Sequence, residues 1–214
     1  MKNRNWLVTS LFLLFFSFIV LIFTVSLAAQ EFSSQIKITQ PKETYLYNYF
    51  VKDHLYRLEG EDSSGEPMVI IANRQEDSYF GLHPIMKFYM EFTREEIFLF
   101  NPIIGWEMIT EGYHEEKVSS EILNGLECEK YIYSREGMEG IIESWYSPEL
   151  KQQIKVIIPL MHSEQSTFEL LNIQVGTQDE KYFIIPDDYI ELSSMEDAEK
   201  QIQTETDIEK STSS

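Results

Sequence analysis

The sequence predicts a mainly β domain, a large antiparallel sheet that curls, with one or two short helices. Three observations lead there. Apolar and polar side chains alternate with period two over most of residues 35–192. Turn-forming Gly, Pro, Asn and Asp residues punctuate the runs. One segment alone carries a strong helix-start signal.

Residues 1–28 stand apart from the fold. Lys2 and Arg4 precede an almost unbroken apolar run from Trp6 to Ala29, and the small residues Ser26 and Ala28 are spaced for cleavage after Ala28. This reads as a signal peptide. The alternative is an uncleaved membrane anchor spanning residues 6–29, since about 20 apolar residues cross a bilayer. With the basic residues retained inside, the rest of the chain is expected outside the cytoplasm, periplasmic or otherwise in the cell envelope.

The β domain is expected over residues 31–192. "TYLYNYFVKDHLYRLEGED" reads as a long aromatic strand pair broken near Lys52 and Asp53. "EDSSGEP" is a turn, and "PMVIIAN" a short apolar strand. In "IMKFYMEF", Met86, Phe88, Met90 and Phe92 point one way and Lys87, Tyr89 and Glu91 the other. Thr93 and Glu96 then form a capping box, opening a helix of about two turns that ends at Pro102. Further strands are expected around 106–109, 118–122, 127–134, 140–146, 151–159 and 167–175. The pair "GIIESWYS" and "LKQQIKVIIP" makes a hairpin whose corner is Ser147-Pro148-Glu149. Residues 193–214 lack aromatics and are rich in Ser, Thr, Gln and acids, so an acidic, disordered tail is expected.

Composition narrows the function classes. Lys plus Arg number 17 against 36 Asp plus Glu, a net charge of −19, which repels phosphate backbones and argues against nucleic acid as a partner. A single cysteine, Cys128, forms no internal disulfide, and "LECEKYIY" places it in a strand as a small buried residue. Ser147 lacks the glycine-flanked elbow of a catalytic serine. No metal-ligand spacing and no glycine-rich phosphate loop occurs, so no catalytic residue, metal or cofactor is expected. The aromatic and methionine side chains allow two readings. The sheet closes on itself over a packed core, or part of its concave face stays open to an apolar ligand.

Several stretches, in order, resemble the LolA-like superfamily of exported lipoprotein-carrier and lipid-binding proteins, which includes outer-membrane lipoprotein-sorting proteins and uncharacterised members. They are "YFVKDHLYRLEGE", "SYFGLHPIMKFYME", "NGLECEKYIYS", "ESWYSPELKQQIKV" and "KYFIIPDDY". The resemblance implies an incomplete antiparallel half-barrel with helices over an apolar cavity, and a non-enzymatic protein that binds a lipid or a lipoprotein acyl chain. The alternative on the same fold is a membrane-anchored sensory or protein-interaction module. The expected apolar lining is Met86, Phe88, Met90, Trp106, Trp145, Ile154 and Val156, with the short helix after Thr93 as a lid. Two departures stand out: little room for a long N-terminal helix, and no cysteine placed for lipid attachment.

Overall fold

The structure is a computed structural model that describes residues 31–62, 64–100, 103–160, 164–193 and 197. The segment expected as signal or anchor lies outside the described residues, as does nearly all of the expected tail. No helix among the described residues is long and apolar enough to cross a membrane.

Among the described residues twelve strands form one curved sheet that does not close into a barrel. Strands β1 (Glu31–Thr39), β2 (Thr44–Lys52), β3 (Leu55–Glu61), β4 (Pro67–Asn73), β5 (Ser78–His83) and β6 (Phe88–Glu91) follow one another outward as an antiparallel meander. The chain then crosses to the far edge through two short helices, α1 (Arg94–Phe100) and α2 (Trp106–Thr110). It returns through β7 (His114–Leu123), β8 (Leu126–Ser134), β9 (Ile142–Ser147), β10 (Gln152–Pro159) and β11 (Gln165–Val175). Strand β11 pairs antiparallel with β1, so the first and the last long strand meet in mid-sheet. After a single turn of 3-10 helix at Glu180–Phe183, β12 (Ile190–Glu191) adds parallel to β6.

Register decides which side chains face inward. Cross-strand partners share a face, and alternate residues along a strand share it too. The pairs Val51 with Tyr56, Tyr49 with Leu58, Leu58 with Ile70 and Ala72 with Tyr79 therefore line one surface. Ile38 with Phe168, Phe168 with Val156 and Val156 with Ser144 continue it. The apolar members of these pairs and Ile97, Ile103, Ile104 and Trp106 from the crossover belong to one buried cluster. Each fully buried aliphatic or aromatic side chain contributes about 1.5–3 kcal/mol to holding it.

The opposite face of β2–β6 is covered by the chain after β11. Tyr182 packs on Phe50 with ring centroids 4.9 Å apart, and Arg57 Nη1 donates to the Tyr182 carbonyl at 2.8 Å. Ile185 and Tyr189 pack against Val69, Ile71 and Leu82.

The expected strand at 106–109 is instead the helix α2. Trp106 must reach the concave face from a crossing segment, and a helical turn directs it there, stabilised by Thr110 Oγ1 donating to the Trp106 carbonyl at 3.0 Å. The expected hairpin is present. Ser147 ends β9, and its hydroxyl accepts from the Leu150 amide at 3.2 Å, as turn serines do.

Candidate functional site

The site is built on strand periodicity. In β2, Tyr45, Tyr47, Tyr49 and Val51 all fall on the concave face because they recur every second residue. Phe32, Ile36 and Ile38 in β1 do the same. Phe32 meets Tyr49 edge-on at 6.2 Å, and Tyr49 stacks on Tyr56 at 6.2 Å, a row of rings running across the sheet.

The crossover lies on this row. Trp106 meets Tyr133 of β8 edge-on at 5.2 Å, while Ile97, Ile103 and Ile104 are buried in the same cluster. Burial first, then the neighbouring Glu115, raises the pKa of Tyr133, so its phenol stays neutral. Two ion pairs fasten the helices to the β4–β5 end: Arg94 with Asp77, and Arg74 with Glu107. The Arg94 hydrogen bond holds the Asp77 carboxyl below its usual value. Arg74 Nη1 also donates to the Tyr56 hydroxyl at 3.3 Å.

A cleft of about 720 Å³ opens where this helical cover meets the β6–β12 edge, bordered by the apolar Phe92, Met108 and Leu192 and by the charged Asp77, Glu91, Arg94, Glu95 and Glu191. Phe92 touches both the main cluster and a smaller one made by Phe88, Met90, Met86 and Leu192. Away from the cleft, the Ser34 and Ser144 hydroxyls are buried with no hydrogen-bond partner among the described residues. By register both stand on the concave face, Ser34 opposite Tyr49 and Ser144 opposite Val156.

The seven residues expected to line a pocket distribute as follows. Phe88, Met90 and Val156 lie on the concave face by register, and Trp106 approaches it from α2. Met86 sits in the turn before β6 and packs against Phe88 and Met90. Trp145 is buried in the main cluster and stands by register directly across from Lys130 and Lys155. Both ammonium groups lie over its ring, at 4.5 and 5.4 Å from the centroid, and its indole donates to Glu121 Oε1 at 2.8 Å. Ile154 is the extra residue at the register shift between Gln153 and Lys155, and is fully buried. Burial along β10 nonetheless alternates as expected, with Ile154 and Val156 inside and Gln153 and Lys155 half-buried.

The concave residues missed in the sequence are Phe32, Tyr49, Tyr56 and Ile97. For the two tyrosines and their neighbours, the alternation in "TYLYNYFVK" is a signal that could have found them. Cys128 is buried, and burial raises its thiol pKa, which keeps it protonated and unreactive. No cluster of His, Cys, Asp and Glu suited to a metal occurs among the described residues.

No protein-family model and no curated protein sequence matches the chain. Solved structures do. An uncharacterised conserved protein from Thermus thermophilus is similar at a TM-score of 0.55 and 9% identity, over 78% of this chain and 92% of that one. MucB is similar at 0.50 and 8% identity, over 74% of this chain. The chain spans 58% of the MucB chain's length. The LolA superfamily protein NE2245 from Nitrosomonas europaea gives 0.38 and 12% identity, over 73% of this chain and 91% of that one. The likeness in fold rests on the first two. The fold shared with those two is one curved antiparallel sheet, open between its edges, with short helices against its concave face.

Proposed function

We propose that this is an extracytoplasmic, non-enzymatic binding protein that takes a lipid or lipoprotein acyl chain onto the concave face of its sheet. The observation that carries the reading is the nature of the cover. The apolar face is sealed by a separate crossover of two short helices rather than by pairing of the sheet's own edges. A closed barrel would have to break strand hydrogen bonds to admit a chain. Here α1 and α2 need only swing away, at the cost of two partly exposed ion pairs and the burial of a few side chains.

Two features fit an acyl ligand. The cleft beside Phe92 and Leu192 offers an entry lined partly by apolar groups. The unpartnered Ser34 and Ser144 hydroxyls would each gain a hydrogen bond from an ester carbonyl, relieving a cost of about 1–3 kcal/mol per group. The basic start and apolar run before residue 29 support export.

The test is binding of a fluorescent fatty-acid analogue to the full chain, alongside native mass spectrometry of gently purified protein. The expected result is a lipid-sized mass adduct, and probe uptake that increases severalfold in the double variant Arg74→Ala/Arg94→Ala. A protein that carries no adduct, and whose loosened variant takes up no probe while still folded by circular dichroism, overturns the reading.

A further inference from the structure

The two edges of the sheet are unlike. At one, β6 is capped by the two-residue strand β12. The other is β7, ten residues long, paired among the described residues with β8 on one side only and exposed at every residue from His114 to Ile122. A long edge strand presents a row of backbone donors and acceptors ready for another strand, and proteins commonly blunt such edges with charged side chains. In β7 three of the charged groups are turned back into the sheet, Glu115 toward the Tyr133 phenol among them. Lys117 Nζ pairs with Glu129 of β8 at 2.5 Å, and Glu121 accepts the Trp145 indole. Apolar side chains stand out instead, with Val118 45% and Ile122 79% exposed.

Charge selects the occupant. With Lys117 neutralised by Glu129, Glu116 stands at the edge, and the carboxylates of Glu115 and Glu121, though hydrogen-bonded inward to Tyr133 and Trp145, have no cationic partner among the described residues, on a chain whose net charge is −19. A second copy pairing antiparallel about the strand centre would set Glu116 opposite Glu121, and like charges directly opposite are unfavourable. The chain's own stretch 194–214 is rich in Asp and Glu and is repelled in the same way. An extended segment with alternating basic and apolar side chains satisfies both the free backbone groups and the acidic rim.

We propose that β7 is a docking edge for an extended, basic segment of a partner protein, which adds to the sheet as a further strand. This stands apart from the concave apolar face and does not depend on lipid binding. The register shift between Lys117 and Ser119 divides the edge, so the better-ordered pairing is expected along Ser119–Leu123.

The experiment is hydrogen–deuterium exchange of the full chain with a capped ten-residue peptide of alternating Lys and Val. Two further peptides serve as comparisons: an alternating Glu and Val peptide, and the Lys and Val peptide N-methylated at alternate positions. The Lys and Val peptide is expected to slow exchange across residues 114–123 and to leave the β6–β12 edge unchanged. Neither comparison peptide is expected to do so. Glu116→Lys, an exposed change outside the core, is expected to weaken binding by about tenfold through reversed charge.

Equal protection by the methylated peptide would reduce the effect to charge adsorption and overturn strand addition. Protection, without any peptide, of those amides in 114–123 that point away from β8 would also overturn the proposal. It would assign the edge to a second copy if it grew with protein concentration, and to the chain's own segments if it did not. Absence of protection at saturating peptide overturns it as well.

Discussion

Tyr47 lies flat against Gly60, so that a Cβ added at Gly60 would run into the ring at Cδ1 and Cε1. Both residues fall on the concave face, one step beyond the paired Asn48 and Glu59, and Tyr47 is buried, so its ring has little room to yield. Gly60→Ala is therefore expected to destabilise the protein by about 1–3 kcal/mol, the usual cost of overpacking. Denaturant unfolding measures it, and an unchanged midpoint would show that the ring moves freely. Gly81 repeats the arrangement beneath the Phe92 ring. Such positions explain part of what the sequence hides, since a glycine inside a strand pattern reads as a weak point. Strand β5, with Gly81 in its middle, was not among the expected strands. The Ser147 corner was legible because proline and a turn serine act locally, within a few residues of each other.

The helix α1 carries its own start signal, and its chemistry follows from it. The Thr93 amide donates to Glu96 Oε2 at 2.7 Å, and the Glu96 amide donates to Thr93 Oγ1 at 3.3 Å, the reciprocal bonding of a capping box. The Thr93 amide, together with the Thr93 hydroxyl, lowers the Glu96 pKa, and Arg94 lowers that of Asp77. Folded-state values below the unfolded ones mean that both groups contribute stability above the ordinary carboxylate range near about pH 4. That contribution is lost as pH falls through the depressed values. Acidification should therefore loosen α1 before the sheet. Exchange across 94–100, corrected for intrinsic rates, is expected to rise below about pH 4 in the native chain. In Thr93→Ala it should already be raised at neutral pH. Equal exchange in both proteins at every pH would show that packing alone holds the helix. The element itself was readable because a cap is a four-residue pattern. Helix α2 was not, because "WEMIT" alternates like a strand and only the position of Trp106 above Tyr133 turns it inward.

At the scale of the whole molecule, the pairing of β1 with β11 joins two meanders that are otherwise separate along the chain. Ile36 sits at that seam, fully buried and paired with Tyr47 on one side and Leu170 on the other. Ile36→Ala is expected to cost about 2–5 kcal/mol by leaving a cavity. Calorimetry should still show one transition, since neither meander can bury its inner face alone. Two separated transitions would mean that the halves fold independently. Local pattern does not reveal the seam. In "EFSSQIKIT", Ser33 and Ser34 interrupt the apolar alternation, with Ser34 occupying a core position.

The sequence by itself determined the fold class, the turn positions, the capped helix and the acidic surface. All of these arise from composition, or from contacts and preferences within about ten residues, which periodicity and turn chemistry record. The tertiary structure decided how the faces were assigned. It placed Trp145 in the core beneath two lysines, closed the concave row of tyrosines with α1 and α2, and left β7 as a long open edge among the described residues. These depend on strand order and register between distant segments. A shift of one residue exchanges the two faces of a strand, so the local pattern alone does not choose between them.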